Sequence, residues 1–138
     1  SGNISAGWAY VLPTEAQWEY ACRAGMNTAY SWGDSFNSSD ANCNINFGQT
    51  RDVGKYQANA WGFFDMHGNV WEWTADWYGS YSSASVIDPE GSASGSYRVG
   101  RGGSWNDGGA YLRSAWRGND APSYRGNSSG FRVGFQKQ

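Results

Sequence analysis

The sequence predicts a small α+β domain that consists mostly of structured loops and short strands, with one well-marked helix. Aromatic residues make up 17% of the 138 residues and glycines number 20, so large rings must pack beside tight turns rather than along regular helices. One stretch carries a full set of helix start and stop signals, and alternating patterns near the C-terminus are typical of antiparallel strands. The length suits a single core, so we assign residues 1–138 to one domain.

The helix is predicted in LPTEAQWEYACRAG, residues 12–25. Thr14 can cap the first turn, and Gln17 stands three residues further on as its partner in a capping box. Gly25 can end the helix in a left-handed conformation. The stripe expected to face the core, at i, i+3 and i+4, consists of Trp18, Ala21 and Cys22. The charged face expected on the other side, where pairs can form across a turn, consists of Glu15, Glu19 and Arg23.

The strands are predicted further along the chain. Residues 26–57 are rich in Asn, Ser, Gly and Asp, which favour turns, so we expect an irregular surface excursion there. A short strand is expected around residues 70–74, and the segments SYRVGRGGSW and GFRVGFQ have the alternation of antiparallel strands. Within them, Trp105 and Phe131 are expected to be buried. Replacing a buried ring of this size with alanine costs about 3 to 5 kcal/mol of stability.

Composition excludes two classes of partner. Charged residues are 16% of the chain and the net charge is −2, with the basic residues scattered, so no basic patch indicates binding to nucleic acid. No apolar run approaches the roughly 20 residues that span a bilayer, so direct membrane insertion is not expected.

Ordinary catalytic constellations are not visible in the sequence. With a single histidine, His67, there is no cluster for zinc or iron and no obvious Ser-His-Asp set. The two cysteines, Cys22 and Cys43, form no CxxC pair; they are either one disulfide or two separate buried thiols. No spacing singles out a pair among the carboxylates considered for glycoside hydrolysis, which are Asp76, Asp88, Glu90, Asp107 and Asp120.

Five long motifs in a fixed order carry a family resemblance. LPTEAQWEYACRAG, NAWGFFDMHGNVWEWTADWY, RVGRGGSW, LRSAWRG and GFRVGF together resemble the formylglycine-generating enzymes, or sulfatase-modifying factor domains, over roughly residues 10–136. The resemblance implies a C-type-lectin-like fold with a small twisted antiparallel sheet, two helices and much structured loop. The part of the family domain that usually precedes the LPTEAQWEY helix is largely absent from the sequence given.

The resemblance also implies a test for catalysis. Family enzymes oxidise a substrate cysteine with a pair of copper-binding cysteines that follow the GGSW-like motif, and soft thiolates suit cuprous copper. The matching positions here are Asp107 and Leu112. A carboxylate and an aliphatic chain cannot hold cuprous copper or exchange thiols, so we expect neither copper nor formylglycine generation.

One segment, DMHGNVWE, suggests a calcium site. The side chains of Asp65 and Glu72 bracket the carbonyls of Gly68 and Val70, and such hard oxygen ligands are what calcium prefers. The resemblance implies the same set, since family members bind calcium with the residues at these four positions. The alternative is that Glu72 is a buried carboxylate hydrogen-bonded between its two neighbouring tryptophans.

Residues 101–135 alternate fixed pieces (RGGSW, LRSAWR, GFRVGF) with short runs of small polar residues and tyrosine. This texture resembles the variable proteins that retroelements diversify, in which altered adenines in asparagine codons yield a limited residue set. The alternative is an ordinary exposed loop, which uses similar residues. The positions predicted to form a binding surface are Asn106, Asp107, Gly108, Ala110, Tyr111, Trp116, Gly118, Asn119, Asp120, Ala121, Tyr124, Gly126, Asn127 and Ser128; of these only Trp116 lies outside the reachable set.

Three functions compete. The first is a noncatalytic module that binds a protein or a surface glycan, with Tyr111, Trp116 and Tyr124 as rigid aromatic anchors among adaptable polar residues. The second is an enzyme of the same superfamily with altered chemistry. The third is a calcium-stabilised structural domain of a larger surface protein. An extracellular or cell-surface location is favoured.

Overall fold

A computed structural model describes residues 6–44 and 46–137 of the chain. The class is α+β, as predicted, with few helices and much loop. Neither of the two described helices has the length and apolar character needed to cross a membrane. In chain order the elements are β1 (Trp8–Val11), α1 (Glu15–Arg23), β2 (Trp71–Trp77), β3 (Arg98–Arg101), α2 (Gly109–Leu112), β4 (Arg117–Asp120), β5 (Ser129–Phe131) and β6 (Gly134–Lys137).

The strands form two sheets. β1 and β6 make an antiparallel pair, and the larger sheet has the order β4-β3-β2-β5. The larger sheet is mixed, because β5 runs parallel to β2 while the other pairs are antiparallel. The expectation of an antiparallel sheet is therefore wrong for β5. The chain between β2 and β5 passes through β3 and β4, which supplies the long connection that a parallel pair requires.

The segment GFRVGFQ was predicted as one strand but forms parts of two. β5 ends at Phe131 on the larger sheet, and β6 begins at Gly134 on the smaller one. Between them, the Arg132 guanidinium contacts the buried Glu72 carboxylate at 2.5 and 2.6 Å. The strand therefore breaks at the residue whose side chain pairs with that carboxylate.

Helix α1 begins as predicted. The Thr14 hydroxyl accepts a hydrogen bond from the Gln17 backbone N–H at 3.2 Å, and the Gln17 side chain accepts one from the Thr14 N–H at 3.0 Å, which completes the capping box. The helix ends one residue earlier than predicted. Ala24 already adopts the left-handed conformation, with φ of 48°, and Gly25 follows with φ of 87°.

The predicted faces of α1 are right except at Glu15. Trp18 and Cys22 are buried, and Glu19 pairs with Arg23 at 2.7 Å across one turn. Glu15 was expected on the solvent side but is only 4% exposed. Arg117 holds both of its carboxylate oxygens, at 2.6 and 2.7 Å, so the charge is compensated inside the protein.

Strand β2 packs its polar side inward. Glu72, Thr74 and Asp76 are buried, whereas the tryptophans at positions 71, 73 and 77 are half-buried on the opposite side of the strand. Helix α1 docks onto the polar side. The Glu15 N–H donates to an Asp76 carboxylate oxygen at 2.6 Å, and the Trp18 indole N–H donates to Glu72 at 2.5 Å.

A fully buried arginine joins the helix to strand β3. Arg101 has no exposed surface and lies between Glu15, at 3.4 Å, and Glu19. It also donates to the Trp116 carbonyl. Glu15 is thus shared by Arg101 and Arg117, and the junction of helix and sheet consists of buried ion pairs rather than of aliphatic packing.

The burial expected of the two strand aromatics is wrong for Phe131. This ring is 68% exposed, while Trp105 is half-buried and its backbone N–H donates to the Asn69 carbonyl at 3.0 Å. β5 is the edge strand of the larger sheet, and Phe131 lies opposite Trp73 in the register. Phe131 therefore lies beside the half-exposed tryptophans, not in the core.

The cysteines are two separate buried thiols, one of the two alternatives left open by the sequence. Cys22 belongs to a cluster with Trp18 and Met66. Cys43 belongs to another cluster, with Tyr30, Ala41 and Leu112.

Glu15→Gln tests the buried ion pairs. Because two arginines would lose their shared carboxylate inside the protein, we expect the free energy of unfolding to fall by about 3 kcal/mol or more, measured by urea denaturation. Asp52→Asn is the matched control, since Asp52 is exposed and pairs only loosely with Lys55 at 3.9 Å. Its effect should stay below about 1 kcal/mol. Equal effects of the two substitutions would show that the buried pairs do not hold the helix.

Candidate ligand-binding surface

The outward side of the larger sheet carries a pocket between tryptophans and the loop that follows β4. We call this side of the sheet the open face. The pocket measures about 250 Å³. Trp71 and Trp73 from β2 form one part of it, and Tyr124, which is 41% exposed, forms another. The other lining residues are Gly100, Gly118, Asn119, Asp120, Ser128 and Ser129.

Two glycines in neighbouring strands make room for Trp71. A Cβ on Gly118 would lie 2.7 Å from the Trp71 ring, closer than real contacts allow, while a Cβ on Gly100 would lie at an ordinary 3.6 Å. The Trp71 ring therefore lies directly against the backbone of β4. A side chain at position 118 would displace it.

The structure brings together part of the predicted surface. Tyr124 belongs both to the pocket and to a neighbouring groove, which Gly126 also lines. Ala121 and Asn127 lie in the same loop region but line neither cavity. The predicted residues that line the pocket on the open face are Gly118, Asn119, Asp120, Tyr124 and Ser128. Those that lie around α2, outside the pocket, are Asn106, Asp107, Gly108, Ala110, Tyr111 and Trp116.

The group around α2 mixes exposed and structural residues. Tyr111, 45% exposed, packs edge-on against Trp116 with ring centroids 5.0 Å apart. Asp107, by contrast, is engaged within its own loop: its carboxylate accepts from the Ser104 N–H at 3.0 Å and from the Ser104 hydroxyl. Its carbonyl accepts from the Asn44 N–H at 2.9 Å. Asp107 thus fixes the loop that precedes α2.

Sequence reasoning missed Trp71 and Trp73 as surface residues. In WEWTADW the tryptophans alternate with polar residues, and apolar side chains usually face the core. The sequence signal for outward tryptophans was the set of polar residues that alternate with them, since Glu72 and Asp76 share one face of the strand. A helix can supply hydrogen-bond and charge partners for the polar side chains on that face. The tryptophans then lie on the opposite, outward face of the strand.

A buried Cys–His contact lies under α1, away from the open face. The Cys22 sulfur is 3.6 Å from His67 Nε2, and that nitrogen also accepts from the Ser31 N–H at 3.0 Å. His67 Nδ1 lies 2.7 Å from the Leu112 carbonyl, to which it must donate. Burial raises the pKa of Cys22 to about 12 and lowers the pKa of His67 to about 4. The pair is a neutral thiol and a neutral imidazole, without the thiolate that nucleophilic chemistry needs.

The positions that match the copper cysteines have other roles here. Asp107 holds its loop, and Leu112 is fully buried in the cluster around Cys43. The only sulfur nucleophiles of the chain are Cys22 and Cys43, and both are buried. Copper–thiolate chemistry does not fit these residues.

The four predicted calcium ligands are partly engaged by other groups. Both Glu72 oxygens contact Arg132, which also donates to the Phe64 carbonyl at 3.1 Å. An Asp65 carboxylate oxygen accepts from the Gly54 N–H at 2.6 Å, and the Gly68 carbonyl accepts from the Val70 N–H at 2.9 Å. Over residues 6–44 and 46–137, no three acidic, histidine or cysteine side chains come together as a metal site. Glu72 is thus a buried carboxylate bonded to Arg132 and to Trp18 rather than to its neighbouring tryptophans, and a calcium ion at this position would have to displace Arg132.

Comparison with known proteins decides the family. The model of the sulfatase-modifying factor enzyme 1-like domain matches residues 2–136. The chain belongs to this family. Within it, the formylglycine-generating enzyme of Streptomyces coelicolor is 36% identical over 141 residues, which cover 88% of this chain and 45% of that protein. Hercynine oxygenase of Mycolicibacterium smegmatis is 38% identical over 146 residues, which cover 94% of this chain and 34% of that protein.

A solved structure shows the same fold. Treponema denticola variable protein 1 superposes with a TM-score of 0.85 at 34% identity, over 94% of this chain and 48% of that one. The relatives of this sulfatase-modifying-factor-like domain thus include enzymes and a variable protein, and the domain spans about half or less of their length. Because members of the family differ in function, membership of the family does not determine the activity of this chain.

Gly118→Ala tests the packing of Trp71. The added methyl would meet the ring at 2.7 Å, so we expect a loss of about 1 to 3 kcal/mol in the free energy of unfolding. Gly100→Ala is the matched control, because its methyl would contact the same ring at 3.6 Å. The control should be neutral or stabilising, since alanine costs less backbone entropy than glycine in a strand. Similar losses for both variants would show that Trp71 is not held as described.

Proposed function

We propose that the chain is a noncatalytic ligand-binding module and that its ligand docks on the open face. The observation that carries this proposal is the outward placement of Trp71 and Trp73 beside Tyr124, over a floor of glycines. Tryptophan and tyrosine dominate the binding energy of most interfaces, and their burial by a partner would compensate for their exposure here.

The anchors are held in place before a ligand arrives. Trp71 is wedged against β4, and both tryptophans project from a strand whose other side is fixed to α1. Few side-chain rotations are left to freeze on binding, which lowers the entropic cost of association.

The rim of the pocket supplies adaptable polar groups. Asn119, Asp120 and Ser128 line it beside Tyr124. Rigid aromatic anchors combined with short polar side chains are the mixture found in antibody paratopes. The ligand classes that this surface suits are a protein or a surface glycan.

We further propose that residues 101–135 are a diversified segment, and the likeness to Treponema denticola variable protein 1 supports this. Exposed positions such as Asn119 and Asn127 accept changes without loss of a side-chain hydrogen bond, whereas the Asn106 side chain accepts one from the Ser104 hydroxyl at 2.6 Å. Gly118 and Asp107 are constrained by Trp71 and Ser104. A reverse-transcriptase gene beside a near-copy of this segment in the genome would establish diversification, and its absence would count against it.

An enzyme with altered chemistry is the second candidate. The similarity to a formylglycine-generating enzyme and to hercynine oxygenase favours it. Against it stand Asp107 and Leu112 at the positions where the family's copper cysteines are expected, and the protonated, buried state of Cys22.

Calcium at Asp65, Gly68, Val70 and Glu72 remains a separate proposal that rests on the family resemblance. The ligands are all oxygens, which suits calcium, but Arg132 would have to release Glu72. A structural domain stabilised by calcium, the third candidate, depends on this step.

Tyr124→Ala and Trp73→Ala test the binding surface. Peptide libraries and glycan arrays screened with the wild-type protein should yield ligands whose affinity falls at least about 30-fold with either variant, because hot-spot aromatics contribute about 2 kcal/mol or more. Stability should change by no more than about 0.5 kcal/mol for Tyr124→Ala, since the side chain is partly exposed.

The matched control is Tyr20→Ala. Tyr20 is 69% exposed and its ring contacts Trp61. It belongs to α1, the helix that packs against the inward side of the sheet. Ligands that bind all three variants equally would contradict docking on the open face.

An activity assay separates the binding module from the enzyme. Incubation with copper, oxygen and a cysteine peptide of the sulfatase type should give no aldehyde, because neither thiol of the chain is accessible. The readout is the mass of the peptide and its reaction with a hydrazide probe. Aldehyde above a control without protein would overturn the noncatalytic proposal.

A calcium titration tests the metal proposal. If calcium binds the native chain, it raises the melting temperature by mass action after chelator treatment, and Glu72→Gln weakens the response. Magnesium is the control, since it demands a stricter octahedral geometry. An unchanged melting curve with calcium would mean that Arg132 alone compensates Glu72.

A further inference from the structure

A larger groove adjoins the pocket on the open face. It measures about 1070 Å³ and shares Trp73 and Tyr124 with the pocket. Its other apolar walls come from Leu12, Pro122 and Phe131, and the Phe131 ring is 68% exposed. The groove is large enough for several side chains, and most of its lining is apolar.

The charges of this groove have one sign. Of the described residues that line it, the charged ones are Arg98 and Arg125. Four other arginines of the domain pair with glutamates, whereas neither of these two takes part in an ion pair within the described chain. Two guanidinium groups without carboxylate partners therefore line an apolar groove, in a protein whose net charge is −2.

Local contacts hold both guanidinium groups in place. Arg98 lies over the Trp77 ring, 3.6 Å from its centroid, and donates to the Ala75 carbonyl. One nitrogen of Arg125 donates to the carbonyls of Pro122 and Tyr124, at 3.0 and 2.7 Å. A guanidinium carries five N–H donors, so each retains donors for an incoming carboxylate.

We infer that this groove binds a peptide segment in which an aromatic or aliphatic side chain stands next to a carboxylate. The inference rests on the proposed function, since it names the ligand class for the same surface. Apolar walls accommodate the side chain, and the arginines complement the carboxylate. The groove offers the side-chain hydroxyls of Ser129 and Tyr124, because the Thr74 hydroxyl is buried and donates to the Val99 carbonyl. Two hydroxyls are too few to bond the many hydroxyls of a sugar, so a peptide fits better than a glycan.

Four capped tetrapeptides of equal length separate charge from apolarity: Glu-Phe-Leu-Glu, Gln-Phe-Leu-Gln, Lys-Phe-Leu-Lys and Glu-Ser-Ser-Glu. Their affinities are measured by isothermal titration, and the contact site is mapped by amide chemical shifts. The first peptide should bind about tenfold more tightly than the second, and the third and fourth should bind most weakly. Raising the salt concentration from about 0.05 to 0.5 M should weaken the first peptide more than the second.

Arg125→Gln is the decisive variant, because the hydrogen bonds of the Arg125 side chain stay within its own loop. We expect it to weaken Glu-Phe-Leu-Glu about five- to tenfold and to leave Gln-Phe-Leu-Gln unchanged. Arg51→Gln is the control, since Arg51 is exposed, stacks on Phe47 and does not line the groove. Arg98→Gln repeats the test, with its melting curve checked because Arg98 also contacts β2.

The inference fails if the protein binds the four peptides without regard to their charge, or if Arg125→Gln does not weaken Glu-Phe-Leu-Glu. It also fails if the protein binds an oligosaccharide instead of the acidic peptide and Arg125→Gln weakens that binding. Library ligands whose affinity depends on Tyr124 but not on Arg125 would contradict this inference and would still support the proposed function. Acidic peptides that depend on Arg125, together with library ligands indifferent to Tyr124, would support the groove and contradict the role of Tyr124 as an anchor.

Discussion

Glu15 lies buried between Arg101 and Arg117 at the point where the helix meets the sheet, and the rest of the domain depends on that shared carboxylate. Buried charges are stable only when they are paired and hydrogen-bonded, so these three side chains must be placed together or not at all. The same logic applies to Glu72, which is enclosed by Trp18 and Arg132. Helix, sheet and C-terminal strands are thereby fixed in one arrangement.

This polar junction determines what the opposite side of the sheet displays. A strand alternates its side chains, so placing Glu72 and Asp76 inward places Trp71 and Trp73 outward. If the helix and the sheet packed through apolar side chains instead, the tryptophan rings of β2 would be buried in that interface. Relatives in the same family include enzymes, yet here Leu112 lies in the core at a position where the resemblance implies a thiol. The fold is shared, while the side chain at this position is aliphatic and buried.

Local signals predicted local structure well. The capping box at Thr14 and Gln17 was readable because its hydrogen bonds join residues three apart. Glu15 was misplaced because its partner Arg117 lies 102 positions away in the sequence. Phe131 was misplaced for a similar reason: an edge position depends on strand order, which alternation does not reveal. The motifs indicated the family and the loop that carries Tyr124, whereas the two tryptophans of the pocket required the orientation of β2.

The separate, buried state of Cys22 and Cys43 has a practical consequence. No covalent cross-link holds the loops of this domain, and ion pairs form equally well in reducing and oxidising surroundings. Cys22, with a pKa of about 12, resists oxidation because almost none of it is thiolate. The fold therefore does not require an oxidising compartment, whereas scaffolds that depend on disulfides do.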